Sequence, residues 1–142
     1  MPHQVAVFLE NKPGKLEKVT GLLAERKINI RAITIADSGG FGVLKLLVDD
    51  PESARTALAD AGLAAVLKTV VAVAIPDLPG SLHRVLELLA RHGVNIQDAS
   101  GFVVSRGQEA VIILQVDEPG RVSTLLEKEG LALVSDQDLY FL

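Results

Sequence analysis

The sequence predicts an α+β protein made of two βαββαβ units side by side, each an antiparallel sheet with its helices on one face. An internal repeat predicts this first. Shifted by 66, Val5–Ile30 falls on Val71–Ile96 with 12 of 26 pairs identical. Shifted by 68, Leu46–Ala64 falls on Leu114–Ala132 with nine of 19 identical, including Asp49/Asp117, Pro51/Pro119 and Gly62/Gly130. The second copy therefore holds two extra residues between Ile96 and Leu114, where a hairpin loop can absorb them. The second observation is periodicity: short β-branched runs alternate with segments of helical spacing. The third is composition. A chain of 142 residues, 49% hydrophobic and 23% charged, suits one ordinary domain or two small ones. The expected units are 1–68 and 69–142, with no linker between them, packed as one body.

Val5–Leu9 is the first strand, ended by Glu10-Asn11-Lys12-Pro13-Gly14. From Leu16, the positions Leu16, Val19, Leu22 and Leu23 mark a helix, with Lys15, Glu17, Lys18, Glu25 and Arg26 on its other face. Ile28-Asn29-Ile30 opens a second strand, in which Arg31, Ile33 and Ile35 alternate with Ala32, Thr34 and Ala36. Asp37-Ser38-Gly39-Gly40 turns into a third, Gly42–Val48. Pro51 suits the first turn of a second helix, whose thin stripe is Ala54, Leu58 and Ala61, and Gly62 stands at its end.

The second copy reads the same way. Leu82, Val85, Leu86 and Leu89 line one helical face, Gly93 caps that helix, and Arg91 and His92 occupy its last turn. Ser105-Arg106-Gly107-Gln108 turns into Val111–Val116, and Leu125 and Leu126 anchor the next helix. Leu139–Leu142 reads as a terminal strand. Val71–Ile75 matches both Val5–Leu9 and that terminal stretch. Either Ala65–Lys68 closes the first sheet or the terminal strand crosses over to help.

Composition excludes several chemistries. The formal charge of −4 and 4% aromatic content supply neither the basic patch nor the stacking platform of a nucleic-acid binder. With no cysteine there is no disulfide, thiol nucleophile or zinc knuckle. The longest apolar run, Val70–Ile75, is far too short to span a membrane, and the first residues lack a signal peptide's pattern, so a cytoplasmic protein is expected. No P-loop motif is present, and Gly39-Gly40-Phe41-Gly42 lies between hairpin strands rather than before a helix. His83 reads as a surface helix residue, His92 as a helix-end cation and His3 as a terminus. The acids at 49, 50, 52, 117, 118, 136 and 138 each sit at a helix start or strand edge, where acids are expected anyway, so neither a metal nor a catalytic residue is expected. No cofactor is expected either.

The informative pattern is a repeated loop. Asn11-x-Pro13-Gly14-Lys15-Leu16 returns as Asp77-x-Pro79-Gly80-Ser81-Leu82, and 15 residues after each glycine stands Asn29 or Asn95. Backbone N–H groups beyond each proline would leave a helix N-terminus facing an anion such as a carboxylate. Asn11, Asp77, Asn29 and Asn95 could meet an ammonium and other polar groups. A carboxylate beside an ammonium is an amino acid. The same residues also read as a tight β-to-α turn with a side-chain cap.

The βαββαβ order with both helices on one face is the ferredoxin-like arrangement, which hosts many functions. V-A-V-F-L-E-N-K-P-G-K-L through I-N-I, repeated as V-A-V-A-I-P-D-L-P-G-S-L through V-N-I, resembles the ACT domain, a small regulatory module of amino-acid metabolism. The likeness covers both units, as in the stand-alone tandem ACT proteins of bacteria. It implies side-by-side pairing into an eight-stranded sheet, with ligand where one unit's first loop faces another unit's strands. Carried over, it points to Asn11, Pro13, Gly14, Lys15, Leu16 and Asn29, and to Asp77, Pro79, Gly80, Ser81, Leu82 and Asn95. The loops differ: Glu10-Asn11-Lys12 against Pro76-Asp77-Leu78. Asn offers both donor and acceptor, so the first loop is expected to be the competent one. The expected function is a non-enzymatic sensor of a small amino acid that signals to a separate enzyme or transporter. The alternative is a ligand-free structural or assembly subunit. Open sheet edges and the small apolar residues Ala64, Ala65 and Val66 further suggest a homodimer.

Overall fold

The computed structural model describes residues 1–141. They form two compact units, His3–Lys68 with Phe141 and a second comprising Thr69–Tyr140 with Met1–Pro2.

In the first unit the order is β1 (His3–Glu10), α1 (Lys15–Glu25), β2 (Ile30–Ser38), β3 (Phe41–Val48), α2 (Pro51–Asp60) and β4 (Ala64–Thr69). The sheet runs β2-β3-β1-β4. Successive strand residues face opposite ways. The register Val5↔Leu46 and Val7↔Leu44 therefore gathers Val5, Val7, Leu44 and Leu46 on one face, where Val19 and Leu23 of α1 and Ala54 and Leu58 of α2 close the core. Pro51 fills the first turn of α2 behind Asp50, whose carboxylate accepts from the Ser53 N–H at 3.2 Å.

The second unit repeats this as β5 (Val71–Pro76), α3 (Ser81–Arg91), β6 (Ile96–Ser105), β7 (Glu109–Val116), α4 (Pro119–Lys128) and β8 (Ala132–Leu133), with sheet order β6-β7-β5-β8. Its core joins Val71, Val73 and Ile75 to Leu114, Val85, Leu89, Val122 and Leu126. Of the two additional residues, one is taken up in β6, where the register shifts between Val103 and Ser105, and one lengthens the turn to 106–108.

Four expectations need correction. Residues 139 and 140 are not in a strand: Asp136–Tyr140 is a short helix, α5. Ser135 caps it by accepting from the Asp138 N–H at 3.2 Å, and Asp136 and Asp138 suit the first turn. Leu139 and Tyr140, adjacent in sequence, are both buried, which the alternation of an edge strand would not allow. Leu142 lies outside the described residues. β4 closes the first sheet, so the first of the two alternatives holds.

The buried face of α3 is the second correction. Val85, Leu88 and Leu89 point into the core, whereas Leu82 is 41% exposed and Leu86 half-buried. The helix carries a wide apolar arc, and the sheet covers only one side of it. The third concerns α2, which buries Ala54, Ala57 and Leu58, while Ala61 is its C-cap and half-exposed. In α4, the fourth, Val122 and Leu126 are buried and Leu125 only borders the core.

Gly93 follows α3 in the left-handed region at φ 68°, where the Val94 N–H reaches the Leu89 carbonyl at 3.0 Å. The first unit closes α1 with the same bonds but has Lys27 there, at φ 58°. A side chain in that region costs about 1–2 kcal/mol.

Candidate functional site

Each loop after the first strand of a unit is a turn of defined type. The Lys15 N–H donates to the Lys12 carbonyl at 3.2 Å, with Pro13 and Gly14 between them and Gly14 at φ 85°, ψ −10°. Proline at the second position and positive φ at the third define a type II turn. In the second unit Ser81 donates to Leu78 at 3.2 Å around Pro79 and Gly80, the latter at φ 87°, ψ −11°. Glycine is needed for its backbone alone, because a Cβ at either position would meet nothing within 4 Å.

This turn consumes one donor that the sequence reading left free: Lys15 and Ser81 give their N–H groups to the turn itself. Helix geometry leaves the next two amides, Leu16 and Glu17 or Leu82 and His83, without an intrahelical acceptor. Neither Gly14 nor Gly80 supplies a side-chain cap, so the cap in the bland reading is absent. Two uncapped helix N-termini therefore face outward behind rigid turns.

The loops are held differently. Both rest on the neighbouring hairpin, through Asn11 N–H to Gly40 carbonyl at 2.8 Å and Asp77 N–H to Gln108 carbonyl at 3.1 Å. In the second unit the Asp77 carboxylate also accepts from the Gly107 N–H at 2.7 Å. Its counterpart Asn11 is exposed, and its side-chain amide has no partner among the described residues. Charge differs as well. Lys12 pairs with Glu10 at 2.8 Å. That hydrogen bond and the Lys12 charge, helped by Lys15, hold the Glu10 carboxyl below its ordinary value, and Glu10 in turn raises Lys12. Residues 10–15 carry two cations against one acid, while 76–81 carry only Asp77. The first loop presents amides and net positive charge; the second presents amides with a carboxylate already in use.

Asn29 and Asn95 are exposed and open β2 and β6. Asn29 is fixed through its backbone, donating to the Asp49 carboxylate at 3.0 Å and accepting from the Asp49 N–H at 3.1 Å. In the second unit Asp117 accepts instead from the Gln97 side chain. Neither asparagine meets the loop of its own unit. Glu10 pairs with Phe41 at one end of β3, while Ile30 pairs with Val48 at the other. Seven residues of extended chain separate those ends by roughly 23 Å. In the second unit Pro76 lies opposite Glu109, and Ile96 opposite Val116, with the same result. Pro13 and Pro79 are exposed in their turns, Lys15 is half-exposed, and Leu16 borders the first core.

His83 lies 3.6 Å from Glu87 on the surface of α3, and the His92 ring contacts the Leu88 carbonyl at 3.0 Å, at the helix end that favours a cation. Among the described residues no group of three or more His, Asp or Glu is placed to hold a metal, and no helix is long and apolar enough to cross a membrane.

The sequence reading missed a cleft of about 220 Å³ beside α3, between Ser81, Arg84 and Leu88 on the helix and Ile75, Glu129 and Leu131 across from it. Ser81 is 5% exposed, and its Oγ is buried without a hydrogen-bond partner among the described residues. Leaving such a group unsatisfied costs about 1–3 kcal/mol. The spacing of Ser81, Arg84, Val85, Leu88 and Arg91 along one helical stripe was the available signal. It was obscured because Leu82 and Leu86 drew the expected face elsewhere.

Comparison with known proteins adds the following. A family model described as an ACT domain pair matches residues 1–142. The crystal structure of protein BT0572 from Bacteroides thetaiotaomicron is 34% identical, covers 99% of this chain and 96% of its own, and superposes with a TM-score of 0.92. The ligand-free regulatory subunit of aspartate kinase from Thermus thermophilus is 19% identical, with 89% and 91% covered and a TM-score of 0.65. The corresponding subunit from Thermus flavus is 20% identical, with 89% and 90% covered and a TM-score of 0.59. The last two show likeness of fold. No curated protein sequence matches.

Proposed function

This chain belongs to the ACT domain pair family, and on that premise we propose that it is a non-enzymatic, cytoplasmic sensor that binds a small amino acid between ACT units and regulates a separate protein. One observation carries the reading. The two parts of the repeated motif, the Pro-Gly loop and the strand-opening asparagine, lie at opposite ends of the same sheet in each unit. They can share a ligand only if they come from different units. An antiparallel approach of one edge strand to the edge strand of another unit brings the asparagine end of the first beside the loop end of the second. A ligand carboxylate would then rest on the Leu16 and Glu17 amides, and its ammonium would meet an asparagine amide oxygen.

The first loop is the stronger candidate, with net positive charge and an uncommitted Asn11. The second loop is read as structural, because the Asp77 carboxylate is spent on Gly107. Self-association into a homodimer fits this mode. β2 is an edge strand. The large apolar side chains of Phe8, Ile33 and Phe41 are 50%, 45% and 66% exposed. The regulatory role rests on family membership, and the same fold serves as the regulatory subunit of aspartate kinase in Thermus thermophilus. The test is a thermal-shift screen against the twenty amino acids. A ligand at 100 times its Kd adds about 2.7 kcal/mol. A shift with one or a few amino acids supports the proposal; no shift with any supports the ligand-free assembly subunit.

A further inference from the structure

β2 lies at the edge of the first sheet beside β3, so along its other side the backbone N–H and C=O groups meet no strand among the described residues. Residues 33–38 are all exposed. Such an edge is normally blunted by proline, by lysine or by a charge in mid-strand. β2 has none of these. Its middle is Ala-Ile-Thr-Ile-Ala at 32–36, and its only charges are Arg31 toward one end and Asp37 toward the other. The register shift of β2 falls between Ile30 and Ala32, so 32–38 form one regular ladder with β3. Among the described residues neither Arg31 nor Asp37 has an ion-pair partner.

This stretch reads the same in both directions, apart from the signs of the charges at its ends. Laid antiparallel on a second copy of itself with Thr34 on the twofold axis, every residue meets a like or complementary one. Ile33 stands opposite the partner's Ile35, Ala32 opposite the partner's Ala36, and Arg31 opposite the partner's Asp37, each twice by symmetry. Cβ atoms directly opposite are about 4.5–5.5 Å apart, which lets an arginine reach an aspartate at both ends. A slip destroys the match: an axis at Ile33 sets Arg31 against the partner's Ile35, and an axis at Ile35 sets Asp37 against the partner's Ile33. The second unit lacks this symmetry. Residues 97–103 of β6 read Gln-Asp-Ala-Ser-Gly-Phe-Val, so pairing about Ser100 sets Asp98 against the partner's Phe102. With Thr34 opposite the partner's Ser100, Arg31 faces the partner's Val103 and Asp37 the partner's Gln97, and neither charge is matched.

We propose that the open edge of β2 is closed by β2 of a second copy, antiparallel and in register about Thr34, with an Arg31–Asp37 ion pair on each side of the axis. First units therefore pair with first units across copies. On the sensor reading above, which this step alone rests on, the pairing also completes the site. Continuing the register sets Asn29 opposite the partner's Gly39, in the hairpin turn that supports the first loop through the Asn11 N–H and the Gly40 carbonyl. The second copy thus supplies the asparagine that each first loop lacks within its own unit.

The chain has no cysteine, so Thr34→Cys introduces a lone thiol. Two such residues on the axis have Cα atoms about 4.5–5.5 Å apart, within disulfide range. Mild oxidation of Thr34→Cys should therefore give a covalent dimer on a non-reducing gel, whereas Ser100→Cys, its counterpart in the second unit, should not cross-link. Sedimentation gives the second arm. The wild type should sediment at twice the 15.1 kDa of the chain. Arg31→Asp and Asp37→Arg each set like charges opposite one another twice and should weaken dimerisation roughly tenfold or more. The double variant restores both pairs with the signs exchanged and should return to within about threefold of wild-type affinity. A monomer at every concentration, no cross-link through residue 34, a cross-link of Ser100→Cys with itself or with Thr34→Cys, or a double variant as weak as the single ones would overturn the pairing. A dimer that passes these tests yet binds no amino acid would leave the pairing standing and remove the sensor reading.

Discussion

Gly14 and Gly21 stand seven residues apart, at the start of α1 and inside it, and the structure gives opposite signs for the same substitution. A Cβ at either glycine would meet nothing within 4 Å, so crowding is absent at both. Only Gly14 has positive φ, at 85°. Gly14→Ala must place an L side chain in the left-handed region or break the type II turn, a cost of about 1–2 kcal/mol. Gly21→Ala keeps a helical backbone and restricts the unfolded chain, a gain of about 0.5–1 kcal/mol. The two variants should therefore differ by roughly 2 kcal/mol. For a unit of this size that is about 8–16 °C in melting temperature. Urea unfolding and calorimetry of both variants measure the difference. If Gly14→Ala were neutral or stabilising, the loop would not be held as a type II turn. The Leu16 and Glu17 amides would then lose the rigid support that makes them an anion site.

Three further outcomes follow from the asymmetry between the units. Lys27→Gly should stabilise the first unit by about 0.5–1 kcal/mol, the left-handed penalty less the entropy of an added glycine, as read by denaturant unfolding. Asp77→Ala should destabilise the free protein by about 1 kcal/mol through loss of the Gly107 bond, whereas Asn11→Ala should leave it unchanged within about 0.5 kcal/mol; the same unfolding curves check both. Glu10 should titrate below exposed glutamates without a cationic neighbour when followed by carbon NMR. Its carboxyl is lowered in the fold, so its contribution is present above the ordinary value of 4.5 and is lost as pH falls through its folded value. Lys12, raised by the same pair, loses its part as pH climbs beyond 10.5 through its folded value.

Much of the fold was legible because the repeat doubled each signal. Pro-Gly after a β-branched run marked both turns, and Pro51 and Pro119 marked both second helices. The terminal stretch had no second copy to check it. Leu139-Tyr140-Phe141 has strand composition, and only the Ser135 cap with the acids at 136 and 138 separates it from a strand. The apolar face of α3 was ambiguous for a related reason. Leucine or valine at 82, 85, 86, 88 and 89 permits two stripes, and tertiary packing chose between them.

For the candidate site, the residue types were legible but their placement was not. Motif spacing along the chain suggested that Gly14 and Asn29 act together. The β3 register shows them at opposite ends of a sheet, which local sequence does not encode. The asymmetry of the loops was visible as Asn11 against Asp77, but its physical content required the Gly107 bond. The Ser81 hydroxyl was even harder to foresee, because burial without a partner is a property of packing.

The central claim is that an amino acid is held jointly by the first loop and a strand-opening asparagine. Calorimetric titration of amino acids into the wild type and Asn29→Ala tests it most directly. Asn29 is exposed and its side chain makes no hydrogen bond among the described residues, so its removal should not disturb the fold. The account expects saturable binding of at least one amino acid to the wild type, weakened in Asn29→Ala by about 1–3 kcal/mol, or roughly 5- to 150-fold. No binding to the wild type, or equal affinity in the two proteins, would contradict it.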